Sequence, residues 1–147
     1  MTVITRLAGA LLLPVLLALL PATACFADVV VVVNPRSGVD KLNRDEVINI
    51  FLGRFRQLPS GLSALPVDLP ASYTEKAAFY HQLVNKELAE INAYWARLMF
   101  SGRTTPPRQA KSNEDLLDLV GSTPGAIGYL DRARVDARVK VVLELGP

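Results

Sequence analysis

Val29-Val30-Val31-Val32-Val33-Asn34-Pro35 sets five β-branched residues in a row and then stops them with a turn. Such side chains are stiff at χ1 and suit a pleated surface better than a helix. A continuous apolar run of this length, without polar alternation, predicts a strand covered on both faces and central in a sheet. Downstream, helical and strand patterns alternate. Asn43 with Glu46 forms a capping box, and Val47, Ile50 and Phe51 give the apolar stripe of a helix that Gly53 ends. Residues 54–64, with Pro59-Ser60-Gly61, read as a surface connection to a short strand over 65–68. Ser72, with Glu75 three residues on, predicts the cap of a helix from Tyr73 to about Asn85. Leu88, Ile91, Trp95, Leu98 and Met99 recur at helical spacing until Gly102. Residues 103–110, with Pro106-Pro107, read as a loop, and Ser112 with Asp115 starts a short helix through Leu119. Beyond the Pro124-Gly125 turn come strands over 126–130 and 139–145, with a turn or short helix over 131–135 between them. This alternation predicts an α/β fold with a mainly parallel or mixed sheet flanked by helices.

Upstream of the valines the chain changes character. About 20 of residues 1–27 are hydrophobic, so the 50% hydrophobic content of the 147-residue chain falls to about 44% beyond them, ordinary for a globular domain. Met1 to Arg6 carries one positive charge, Leu7 to Leu20 is apolar except at Gly9 and Pro14, and residues 21–27 turn small. That order predicts a signal peptide over 1–27 and a single domain over 28–147. The apolar run is short for a bilayer span, and Pro14 would disturb a spanning helix. Ala22-Thr23-Ala24-Cys25 also loosely resembles a lipoprotein signal, in which Cys25 would be acylated. Cys25 is the only cysteine, so the domain has no disulfide and relies on its core. Export without a cysteine framework points to a periplasm. With 16 basic and 14 acidic residues, no sustained field favours nucleic acid, and any anion selectivity must be local.

The residues leave little room for catalysis. His81 is the only histidine and sits mid-helix without a nearby nucleophile, so a solvated helix-face residue is its expected role. Glu87 with Glu90 and Asp115 with Asp118 have spacings common on exposed helices and do not cluster as oxygen-ligand metal sites do. Neither a phosphate loop nor a dinucleotide fingerprint occurs. The chain is therefore expected to be no enzyme and to need no cofactor. Two segments hold binding interest. Asp68-Leu69-Pro70-Ala71-Ser72-Tyr73-Thr74 runs from a strand end into a hydroxyl-rich helix start, where free N–H groups and the helix dipole favour anions. Simple capping by Ser72 is its competing and commoner role. Ser122-Thr123-Pro124-Gly125-Ala126-Ile127-Gly128-Tyr129 flanks a strand with glycines, and Gly128 there reads as a site of close backbone packing. Tyr94 and Trp95 could serve as ligand platforms, though helical spacing places Trp95 in the core.

Taken in order, Val30-Val31-Val32-Val33-Asn34-Pro35, Leu42-Asn43-Arg44-Asp45-Glu46-Val47 with Ile50-Phe51-Leu52-Gly53, Ser72-Tyr73-Thr74 ahead of Phe79, and Pro124-Gly125-Ala126-Ile127-Gly128-Tyr129 resemble the phosphate-type substrate-binding proteins of ABC transporters. The resemblance implies one lobe of a type II periplasmic-binding-protein-like fold. On this resemblance the family's first lobe would be expected before Val29, where the expected signal peptide lies. Ser72 and Thr74 match the family's ligand hydroxyls, Tyr73 replaces a glycine, and Asp68 stands where an arginine is expected. A carboxylate there repels a divalent oxyanion, and Lys76 one turn along is the residue that could restore positive charge. The ligand-binding set expected from these positions is Ser72, Tyr73, Thr74, Lys76, Asn34 and Gly125. Two readings of function follow. One is a periplasmic, non-catalytic solute-binding-like protein with weak or altered binding of an oxyanion such as phosphate, partnered by a membrane permease. The other is a periplasmic interaction module, a homodimer or the partner of a membrane sensor, docking through a surface around Asn34, Ser72 and Gly125.

Overall fold

The computed structural model describes residues 27–146. The signal reading of residues 1–27 and the lipidation reading of Cys25 lie outside the described residues, Ala27 excepted. In order come β1 (Val29–Val33), α1 (Arg44–Phe51), β2 (Leu65–Asp68), α2 (Thr74–Val84), α3 (Leu88–Phe100), β3 (Arg108–Gln109), α4 (Asn113–Ser122), β4 (Ala126–Asp131) and β5 (Lys140–Glu144). The strands form one mixed sheet in the order β3-β2-β4-β1-β5. β1 runs antiparallel to β4 and β5, whereas β2 is parallel to β4 and to β3. All five valines of β1 are completely buried, each worth about 1.5–3 kcal/mol relative to exposure. β1 is interior as expected, but the middle position belongs to β4, because two parallel strands extend the sheet beyond β4 and only β5 lies beyond β1.

Period-two alternation along β4 sorts the two layers. Tyr129 points to the face covered by α1 and α2, where its ring stacks on Phe79 at 3.8 Å and leans on Phe51 at 5.9 Å. Gly128 points to the other face, where α4 rests so closely that an added Cβ would meet Leu116 at 3.0 Å and Val120 at 3.2 Å. The close-packing role expected of Gly128 is what the structure shows. Among the described residues, the buried hydrophobic side chains from Val29 to Leu145 form one contiguous core.

Caps and turns explain most of the boundaries. Asn43 accepts from the Glu46 N–H and Glu46 reaches back to the Asn43 N–H, both at 2.8 Å, which closes the expected capping box. Ser112 caps α4 through the Asp115 N–H at 3.1 Å. Three expectations are corrected. Ser72 does not cap α2, which opens one step later with Tyr73 at the cap position and no side-chain cap bond. Residues 103–110 are not wholly loop, since Arg108 and Gln109 pair with Val67 and Asp68. That pairing begins just past Pro66, which lacks an N–H to give to a neighbour. The α4 helix runs on to Ser122, held at its end by Asn34, as described below.

Candidate functional site

β2 ends in Asp68, and the path from there into α2 builds the site. Asp68 is buried, and its carboxylate turns inward rather than toward solvent. One oxygen accepts from the Leu69 N–H at 2.9 Å and from the Tyr129 hydroxyl. The other accepts from the Tyr80 hydroxyl at 2.8 Å and lies 3.5 Å from Lys76 Nζ. Lys76 and Tyr80 are four residues apart on α2 and so share one face of the helix. Burial, and then the charge of Asp68, pushes both tyrosine hydroxyls well above their ordinary pKa. They therefore stay protonated and keep donating to the carboxylate.

A second carboxylate stands at the helix start itself. Glu75, in the first turn of α2, is buried and accepts from Asn113 Nδ2 at 3.3 Å. Thr74 Oγ1 lies 3.5 Å from its other oxygen, and Arg134 Nε approaches at 3.9 Å. A carboxylate in the first turn is stabilised by the helix dipole and by the free N–H groups there. Glu75 thus places a negative charge in the first turn of α2.

The six expected ligand residues do not converge. Ser72, Tyr73, Thr74 and Lys76 follow the carboxyl end of β2, with Ser72 and Thr74 exposed and Tyr73 half-buried. Lys76 is held by Asp68. Asn34 and Gly125 lie at the other end of the sheet, since Val33 pairs with Ile127 and Leu65 with Ala126. The expected docking surface joining Asn34, Ser72 and Gly125 is therefore corrected: strand length separates its members. Asn34 is fully buried, giving Nδ2 to the Val120 and Gly121 carbonyls at 2.8 and 3.0 Å and accepting from the Arg36 N–H at 2.8 Å. Gly125 is tight against the Ser63 backbone, where an added Cβ would collide with the carbonyl oxygen. Tyr94 is no free platform, because its hydroxyl donates to the Leu52 carbonyl at 2.7 Å. Trp95 is buried in the core and His81 is exposed beside Glu87 at 3.6 Å. Among the described residues, no group of three metal-ligating side chains forms.

Sequence reasoning missed Tyr80, Tyr129, Asn113 and Arg134. The four-residue step from Lys76 to Tyr80 was a usable signal, whereas Asn113 and Arg134 reach Glu75 only through the tertiary fold.

No family model matches the sequence, and no curated protein matches it. Solved structures do. An ABC-type phosphate transport receptor from Vibrio cholerae superposes with a TM-score of 0.63 at 18% identity, covering 79% of this chain and 45% of that one. The chain has the fold of one lobe of a phosphate-type substrate-binding protein. A phosphate ABC transporter substrate-binding protein with bound phosphate from Clostridium perfringens gives 0.60 at 17% identity over 79% and 44% of the two chains. PstS from Borrelia burgdorferi gives 0.54 at 10% identity over 79% and 46%. The chain spans less than half the length of each of these receptors. Among the described residues, no helix is long and apolar enough to cross a membrane.

Proposed function

We propose that the chain is a non-catalytic, solute-binding-type lobe of a periplasm, exported by its N-terminal segment, that contacts small oxyanions such as phosphate only weakly. The fold shared with phosphate receptors supports the class. The weak binding rests on one observation. Lys76, the cation expected to face a ligand, is 3.5 Å from the buried Asp68 carboxylate, while Glu75 already sits on the first turn of α2. A divalent oxyanion placed there would meet two resident carboxylates and no free lysine, a swing of several kcal/mol where water is partly excluded.

Titration calorimetry of residues 28–147 with inorganic phosphate tests this, beside a thermal-shift screen against phosphate and sulfate. A ligand that binds only the folded state must raise the melting temperature. The expected result is no detectable heat and no shift at micromolar phosphate. Saturable micromolar binding would overturn the weak-affinity reading.

A further inference from the structure

Two stretches of the chain, residues 47–67 and 91–113, contain no aspartate or glutamate, yet they carry Arg54, Arg56, Arg97, Arg103, Arg108 and Lys111. The fold brings them together. Arg56 donates to the Arg103 carbonyl at 3.3 Å, Gly53 abuts Trp95 and Thr104, and a groove of about 780 Å³ runs between Phe55, Arg56, Met99, Arg103 and Arg108. Among the described residues, none of these five arginines lies within ion-pair distance of a carboxylate. Elsewhere on the surface Lys86, Arg132, Arg138 and Lys140 have such partners, while among the described residues Arg36, Lys41 and Arg44 are also without one.

The same two stretches hold all four large hydrophobic side chains exposed among the described residues. They are Phe55 at 49% exposure, Leu62 at 38%, Met99 at 57% and Phe100 at 97%. Phe55 and Met99 line the groove together with the arginines, and Phe100 continues the surface next to Met99, Pro106 and Pro107. A polar anion alone would not require exposed phenylalanine. An apolar partner alone would not require a groove lined by Arg56, Arg103 and Arg108 with no carboxylate in its wall.

We propose that this face docks on an anionic phospholipid bilayer, with the arginines at the phosphate level and Phe55, Met99 and Phe100 reaching the acyl boundary. Charge complementarity selects the anionic leaflet, and arginine suits phosphate because its planar fork can make paired hydrogen bonds. The almost complete exposure of Phe100 fits insertion, since this side chain stands out from the surface. The face does not include Ser72 to Thr74, so the docking stands or falls independently of phosphate binding at α2.

The test is co-sedimentation of residues 28–147 with vesicles of phosphatidylglycerol and phosphatidylcholine in equal parts, against phosphatidylcholine alone. Starting at Asp28 removes the apolar N-terminal stretch, which would insert by itself. The expected result is sedimentation with the anionic vesicles only, weakening as salt rises. Reversing charge with Arg56→Glu, Arg103→Glu and Arg108→Glu together should lower the partition constant about tenfold or more. Phe100→Ser should lower it severalfold without changing the salt dependence, and a side chain this exposed can be replaced without unfolding the chain. Thermal melts of each variant verify that the fold is kept. No sedimentation of the parent chain, or sedimentation that survives charge reversal, would overturn the proposal. So would a dimer in light scattering that Phe100→Ser abolishes while vesicles bind nothing, or tight binding of soluble polyglutamate that ignores Phe100→Ser. The first would assign the face to a second copy and the other to an acidic protein.

Discussion

Lys76 Nζ lies 3.5 Å from the same Asp68 oxygen that Tyr80, one turn further along α2, holds at 2.8 Å. The lysine and the tyrosine therefore converge on one buried acceptor, and Tyr129 reaches the other oxygen from the sheet. This polar cluster joins β2, α2 and β4, and its Asp68 and Lys76 also line a cavity of about 620 Å³ beside Trp95 and Met99. Asp68 is the structural hub of these three elements.

Removing the hub should be expensive. Asp68→Ala leaves two buried hydroxyls and an ammonium without their acceptor, which should cost about 3–5 kcal/mol. Asp68→Asn keeps an acceptor for the hydroxyls and should cost less. Urea denaturation of both variants checks the order, and a loss below about 1 kcal/mol for Asp68→Ala would show that the cluster is not what holds β2 to α2.

Glu75→Gln makes the opposite kind of test, a gain. It removes the resident negative charge from the first turn of α2 and releases Arg134, so inorganic phosphate should bind about tenfold more tightly than to the parent chain. Calorimetry at low salt reads the difference. An unchanged affinity would mean that Glu75 does not occupy the anion position.

The sequence made the framework legible where one local signal dominates. The valine run, the Asn43–Glu46 box and the Ser112 cap each depend on neighbours within a few residues, and each appears as expected. Ser72 misled because the box pattern it forms with Glu75 is matched by residue type, while the tertiary pull of Asn113 and Arg134 on Glu75 decides where its carboxylate goes. The β3 strand escaped notice because two residues carry no periodicity and only the partner strand defines them. Asn34 is a ligand candidate by sequence alone. Its true partners, Val120 and Gly121, lie 86 and 87 positions away, beyond the reach of any local pattern.

The tyrosines set the alkaline limit. Their hydroxyl pKa values are raised in the folded chain, so below pH 10 both states keep these protons and stability does not change on their account. Above pH 10 the unfolded chain releases protons that the folded chain keeps. Stability should then fall by about 1.4 kcal/mol per pH unit for each tyrosine. Denaturant titrations at rising pH should show the steepening, and Tyr80→Phe or Tyr129→Phe should each remove one share of it. A slope unaltered by both changes would refute the assignment.

Asn34 offers a stability effect without a binding effect. Asn34→Ala removes two hydrogen bonds from the α4 carboxyl end and leaves the Arg36 N–H without its acceptor in a part-buried turn, at a cost of about 2–4 kcal/mol. Its response to phosphate should equal that of the parent chain, because Asn34 is at the far end of the sheet from Thr74. A selective loss of phosphate response with unchanged stability would return Asn34 to the ligand set.

Gly125 and Gly128 differ in what surrounds them, and alanine should separate the two. At Gly125 the obstacle is the Ser63 backbone, which is fixed because the Leu65 N–H bonds the Gly125 carbonyl at 2.9 Å and locks the two strands in register. At Gly128 the obstacles are the ends of Leu116 and Val120, which can shift by a few tenths of an ångström. Gly128→Ala should therefore cost about 1–3 kcal/mol, the usual range for overpacking, and leave a cooperative transition. Gly125→Ala should cost more, since β2 must move away from β4 to admit the methyl group. Amide exchange localises the effect: weakened protection at Leu65 and Ala126 is expected for Gly125→Ala alone, and equal losses for both variants would contradict the rigid approach at Ser63.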